Sequence, residues 1–147
     1  MFLASNETIE ILNQTAENKS IKITNRIPEN IYVVADIDML STILRNLISN
    51  AVKFTQKGGV VEIDVKTRHG VSHEITIKDN GIGISKEKQS KLFDIGENTS
   101  TKGTEDETGT RLGLMLCKEF IEKHNGEIEI ESEEGKGSKF IVKLPIR

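Results

Sequence analysis

The chain has 147 residues, 35% hydrophobic and 29% charged, with 20 basic against 23 acidic side chains and a net charge of -3. That length fits one domain with a substantial core, and the acidic balance excludes a general nucleic-acid-binding surface. No stretch approaches the roughly 20 apolar residues of a membrane span, the start lacks the parts of a signal peptide, and the lone Cys117 excludes an internal disulfide and fits a reducing compartment.

Residues 6–18 set Ile9, Ile11, Leu12 and Ala16 among polar neighbours, which predicts a short amphipathic helix. Residues 21–27 alternate strictly and read as a strand ended by Pro28, with 31–34 a short partner strand. Asp36 is placed to cap a long helix running to about Phe54. Residues 57–59 form a turn, and 60–67 and 71–79 alternate around the link Arg68-His69-Gly70 as a hairpin. Ser85 caps a short helix reaching Phe93. Residues 94–109 are polar and aperiodic and read as a mobile loop. A helix over 112–124 stops at Asn125-Gly126. Two strands, 126–132 and 138–145, close the chain around the turn 134–137. The predicted architecture is a two-layer α/β sandwich, with a mixed, mainly antiparallel sheet and helices on one face.

The long helix carries a polar stripe. At about 100° per residue, Leu40, Ile43, Leu44, Leu47, Ile48, Ala51 and Phe54 share one arc. Asn46, Asn50 and Lys53 fall within roughly 60° of one another beside it. Asn oxygens are hard ligands suited to Mg²⁺, and a lysine is a point charge for phosphate; the same stripe is also what any solvated helix face looks like. Two glycine clusters follow. Asp79-Asn80-Gly81-Ile82-Gly83-Ile84 leaves a strand directly, with glycines that allow close backbone approach and a carboxylate that can accept from an exocyclic amine. Gly109-Thr110-Arg111-Leu112-Gly113-Leu114 joins the polar loop to a helix, where backbone N–H groups suit a phosphate. It is neither a P-loop nor a dinucleotide fingerprint. Singly, each cluster is also a plain turn or helix entry.

In order and in register, these segments resemble the ATP-binding catalytic domain of two-component sensor histidine kinases, in the superfamily of gyrase B, Hsp90 and MutL. LRNLISNAVKFT (44–55) resembles the N box, DNGIGI (79–84) the G1 box, KLFDIGE (91–97) the F box and GTRLGL (109–114) the G2 box, and GEIEIESEEGKGSKFIVKLP matches the usual ending. The resemblance spans nearly the whole chain and implies a Bergerat-type fold over 1–147, a single catalytic domain excised from a longer chain. It implies the cofactors ATP and Mg²⁺, with Asn50 the chief metal ligand and Asn46 assisting, and Lys53 reaching the phosphates. Phe54 would pack near the adenine, Asp79 would bond its amine, and Gly81, Gly83 and Ile84 would line the base. Residues 94–109 would be the ATP lid, with Lys102 a phosphate contact. Gly109, Thr110, Arg111, Leu112 and Gly113 would cradle phosphates, and Ser138 would contact adenine through water.

Arg111 departs from the family's Gly-x-Gly-x-Gly. If that position needs φ > 0, arginine is strained there and the chain is a nucleotide-binding regulatory module with impaired catalysis. If it does not, Arg111 places a cation beside the triphosphate. The ATP-hydrolysing branches carry a glutamate general base four residues before the N-box asparagine. Here that position is Asn46, which cannot take a proton, whereas a neutral imidazole acceptor needs no such base. The resemblance therefore implies phosphoryl transfer to a histidine on the dimerisation domain of the same kinase, then to a response regulator, in the cytoplasm, without nucleic-acid or direct membrane contact. His73-Glu74 imitates a phosphoacceptor pair but lies in an alternating strand without a following proline; His69, His124 and Cys117 read as structural.

Overall fold

The computed structural model describes residues 10, 12, 14, 16–28, 35–68, 70, 72–91, 100–102 and 108–145. The elements are β1 (Lys22–Asn25), α1 (Ile37–Lys53), β2 (Val60–Arg68), β3 (Ser72–Asp79), α2 (Lys86–Lys91), β4 (Ser100–Lys102), β5 (Thr108–Thr110), α3 (Arg111–Lys123), β6 (Glu127–Glu133) and β7 (Gly137–Pro145). Among the described residues, five strands form one sheet in the order β1-β2-β3-β7-β6. β2 with β3, β3 with β7 and β7 with β6 are antiparallel, and β1 with β2 is parallel. The sheet is mixed and mainly antiparallel, as expected.

Side-chain alternation decides which face is buried. Val61 and Ile63 of β2, Ile75 and Ile77 of β3, and Phe140, Val142 and Leu144 of β7 point inward. The opposite face carries charges, some paired across strands, such as Lys143 with Glu129 at 2.9 Å and Arg68 with Glu74 at 3.0 Å. α1 lays Leu40, Ile43, Leu44, Leu47, Ile48 and Ala51 on the inner face, and α3 adds Leu114, Cys117 and Ile121. Each such Leu or Ile stabilises the fold by about 1.5–3 kcal/mol on burial. Phe54, the last member of the predicted arc, is only half-buried, because α1 ends at Lys53 and Phe54 is its C-cap.

The helix ends behave as their chemistry requires. The Asp36 carboxylate accepts from the Met39 N–H at 3.0 Å, the predicted N-cap. Asn125 takes φ 58 where α3 stops, and the Gly126 N–H donates back to the Ile121 carbonyl at 3.0 Å. His124 ties the two helices together. Its Nε2 accepts from the Asp36 N–H at 2.9 Å and its Nδ1 lies 2.8 Å from the Phe120 carbonyl, a pairing that assigns a neutral ring protonated at Nδ1. The C-terminus of α1 is capped from a distance: the buried Lys19 donates from Nζ to the Val52 and Lys53 carbonyls at 3.1 and 3.0 Å. A cation on the last carbonyls also complements the helix dipole.

Two expectations change. The predicted strand over 21–27 contracts to β1, and its sheet neighbour is β2 in parallel; residues 31–34 lie outside the described residues. The predicted loop 94–109 contains a two-stranded antiparallel ribbon, in which Ser100, Thr101 and Lys102 of β4 face Thr110, Gly109 and Thr108 of β5. Backbone hydrogen bonds need no hydrophobic period, so polar residues can form such a ribbon. The remainder of that loop, His69, Phe93 and most of the first predicted helix also lie outside the described residues.

Candidate nucleotide site

One cross-strand row on the inner face organises the site. Asp79 at the end of β3 faces Ser138 on β7, and Ser138 faces Ser132 on β6. Asp79 is 4% exposed. Its carboxylate accepts the Gly81 N–H at 2.9 Å and the Ser138 backbone N–H. Burial pushes this carboxyl above its ordinary range, and the two backbone donors pull it partly back.

The glycine loop after β3 hangs between α1 and the β6–β7 turn. The Ile82 N–H donates to the Phe54 carbonyl at 3.0 Å, and the Gly135 N–H donates to the Ile82 carbonyl at 2.8 Å. A Cβ on Gly81 would run into the Phe54 carbonyl, and one on Gly83, at φ +74, would run into the Glu133 carbonyl. The room these two glycines make is taken by the chain's own backbone, which locks the N-box end, the G1 loop and the closing turn into one unit. Ile84 is fixed in the same unit: its N–H donates to Ser132 Oγ at 2.8 Å, and its carbonyl accepts from Gln89 Nε2 at 2.7 Å.

The polar stripe of α1 divides into residues with different commitments. Asn46 donates from Nδ2 to the Thr42 carbonyl at 3.0 Å and bonds the Cys117 thiol. A Cβ on Gly113 would lie 2.9 Å from Asn46 Oδ1, so the glycine lets α3 close onto this amide. Asn50, one turn on, is half-buried, and among the described residues no group bonds its side-chain amide. Lys53 is 7% exposed, with its ammonium 4.8 Å from the centre of the Phe54 ring, a cation–π arrangement. Asn46 packs against α3 with its amide nitrogen on the Thr42 carbonyl, whereas Asn50 has no side-chain partner among the described residues.

Arg111 and Leu112 open α3, and Gly113 sits beside the N-box helix. Among the described residues, only Ser20 and Asn125 are non-glycine residues at positive φ. Arg111 starts a helix with ordinary backbone and carries no left-handed strain. Lys102, Gly109 and Thr110 belong to the ribbon rather than to the five-stranded sheet. Burial pushes the Cys117 thiol up to about 12, so it is an inert core residue. His73 faces inward from β3, with Nδ1 3.1 Å from Thr67 Oγ1.

The sequence reading missed three residues that build this site. Lys19 caps the helix carrying Asn46, Asn50 and Lys53, but its contacts span 33 and 34 residues and leave no local pattern. Asn80 imitates a strand: its Oδ1 accepts the Val60 N–H at 2.8 Å and holds the start of β2. Ser132 links Ile84, Gly137 and Ser138. Its only sequence signal is a polar residue on the inward side of an alternating strand.

Residues 35–147 match the family described as histidine kinase-, DNA gyrase B- and HSP90-like ATPases. The chain belongs to that family. It is 37% identical over 139 residues to sensor histidine kinase YclK of Bacillus subtilis, covering 93% of this chain and 29% of that protein. It is 32% identical over 143 residues to the adaptive-response sensory kinase SasA of Crocosphaera subtropica, covering 97% of this chain and 37% of the relative. The chain thus spans about a third of the length of these curated relatives. Among solved structures, the nucleotide-free catalytic domain of histidine kinase ThkA superposes with a TM-score of 0.81 at 26% identity, covering 97% of this chain and 90% of that one. The fold is therefore that of histidine kinase ATPase domains, the Bergerat type. No helix among the described residues is long and apolar enough to cross a membrane.

Proposed function

We propose that this domain binds Mg-ATP and transfers the γ-phosphoryl group to a histidine on a separate dimerisation domain of the same kinase, which then serves a response regulator in the cytoplasm. The observation that carries the nucleotide reading is Asp79, a carboxylate held almost wholly out of water at a strand end. Two backbone donors leave it free to accept an adenine amine. Burying a carboxylate is unfavourable for the apo fold, and such expense is characteristic of binding sites.

Asn46 directs the reading toward transfer. It stands where a hydrolase needs a general base, and an amide bonded to the Thr42 carbonyl accepts no proton. Phosphoryl transfer itself asks for positioning and charge stabilisation. Asn50 fits a Mg²⁺ ligand because its oxygen is hard and has no partner among the described residues; the remaining ligands would be water and phosphate oxygens. Bound there, the metal would neutralise phosphate charge. Phe54 would hold the base beside the G1 loop, and the start of α3, residues 110–113, would present N–H groups to the phosphates. Lys53 would add charge from the N-box side and Lys102 from the lid.

Asn50→Ala should therefore weaken Mg-ATP binding about tenfold or more and metal-free ATP far less, whereas Asn46→Ala should show little metal dependence. Calorimetric titration with Mg²⁺ and with EDTA checks this; equal losses for Asn50→Ala in both conditions would remove it from the metal site. Arg111→Gly should weaken ATP binding more at low salt than at high salt, since it removes a cation and relieves no backbone strain. Tighter binding by the glycine variant would revive the impaired-module reading.

A further inference from the structure

Ser132 stands at the centre of a hydrogen-bond cluster beside Asp79. Ser132 Oγ lies 3.0 Å from the Gly137 carbonyl, 2.8 Å from the Ile84 N–H and 2.8 Å from Ser138 Oγ. A carbonyl only accepts, so the single Ser132 proton goes to Gly137. An N–H only donates, so one Ser132 lone pair is taken by Ile84. The bond between the two hydroxyls then has one consistent direction: Ser138 donates and Ser132 accepts. Ser132 is thereby saturated, with one proton given and two lone pairs filled. Ser138 has spent its only proton, and what its oxygen can still offer is lone pairs. It lies beside Asp79, itself an acceptor, in the same inward-facing row.

We infer that Ser132 is a positioning residue that makes Ser138 an obligate acceptor, so that the site favours 6-aminopurine over 6-oxopurine nucleotides. This rests on the nucleotide reading above and adds the origin of base selectivity. An exocyclic amine in direct contact finds acceptors at both Asp79 and Ser138. A 6-oxo group meets lone pairs at both. Ser132 never touches the base; it acts by fixing a proton one residue away.

The test titrates Mg-ATP and Mg-ITP into the domain and into Ser132→Ala and Ser138→Ala variants. The parent should prefer ATP. Ser132→Ala frees the Ser138 proton to donate, and the ATP:ITP affinity ratio should fall about fivefold. Ser138→Ala should lower the ratio similarly without disturbing Ile84 or Gly137, so it answers even if Ser132→Ala folds poorly. The double variant should behave as Ser138→Ala alone. A Ser132→Ala variant that loses ATP and ITP affinity by the same factor, or a ratio unchanged in both single variants, would overturn the inference. A parent that binds neither nucleotide would overturn the nucleotide reading itself.

Discussion

Asp79→Asn is expected to abolish or greatly weaken ATP binding while leaving the apo domain at least as stable as the parent at neutral pH. The two effects have opposite origins. For the ligand, the change replaces a charged acceptor with an amide that can present its own donors to the adenine amine. Losing a charged partner to a desolvated donor costs about 1.5–3 kcal/mol, roughly ten- to a hundredfold in affinity. For the apo fold, the change removes a carboxylate that burial has made unfavourable. Asp79 has its folded pKa raised above its ordinary 3.8, so the folded state holds the proton more tightly than the unfolded one. Its contribution to stability is largest below 3.8 and declines as pH climbs through the raised folded value. Asp79→Asn should lack that decline. Thermal unfolding of both proteins across this window, beside calorimetric ATP titration at neutral pH, checks the pair of expectations. A variant with unchanged ATP affinity would remove Asp79 from the site, and one that unfolds well below the parent at neutral pH would make its role structural.

Gly81→Ala should do what Asp79→Asn does not: lower stability and ATP binding together. Its Cβ would enter the Phe54 carbonyl, which already accepts from Ile82. That carbonyl is backbone at the end of a capped helix and cannot swing aside like a side chain. Overpacking of this kind costs about 1–3 kcal/mol, and losing the Ile82–Phe54 bond adds about 0.5–1.5 kcal/mol. Displacing the loop also moves the backbone donor that Gly81 gives to Asp79. Gly135→Ala is the control. Gly135 has φ +81 but open space where its Cβ would stand, so it pays only the left-handed backbone penalty of about 1–2 kcal/mol. Urea denaturation should place Gly81→Ala below Gly135→Ala; the reverse order would mean that the G1 loop yields easily and the close approach is incidental.

The parts of the fold that were legible in the sequence are those with a local period. The 3.6-residue stripe of α1 and the two-residue alternation of β2, β3, β6 and β7 each announce a buried face. Asp36 and Asn125-Gly126 mark helix ends by short-range chemistry. The parallel pairing of β1 with β2 was not legible, because it joins segments separated by a helix and depends on tertiary closure. The β4–β5 ribbon escaped for a different reason: its segments are polar and carry no hydrophobic period. Within the site, Asn46 and Asn50 look alike on a helical projection, yet Asn46 packs against a second helix while Asn50 has no side-chain partner among the described residues. That difference depends on Gly113 and Cys117, more than 60 residues away. The glycines at 81 and 83 signal close approach in the sequence, and the structure shows that the approaching groups are the Phe54 and Glu133 carbonyls. Ser132 was invisible because its importance lies in three partners on two other segments, the G1 loop and β7.

The most direct test follows the fate of the γ-phosphate. The domain is incubated with Mg-ATP labelled at the γ position, alone and then with a histidine-bearing helical dimerisation domain as a separate polypeptide. The expected result is that the label stays on ATP in the first case and moves, in the second, to an acid-labile, alkali-stable protein adduct characteristic of phosphohistidine. Sustained release of inorganic phosphate by the domain alone would contradict the account, because it would require activation of water at a site where Asn46 can accept no proton.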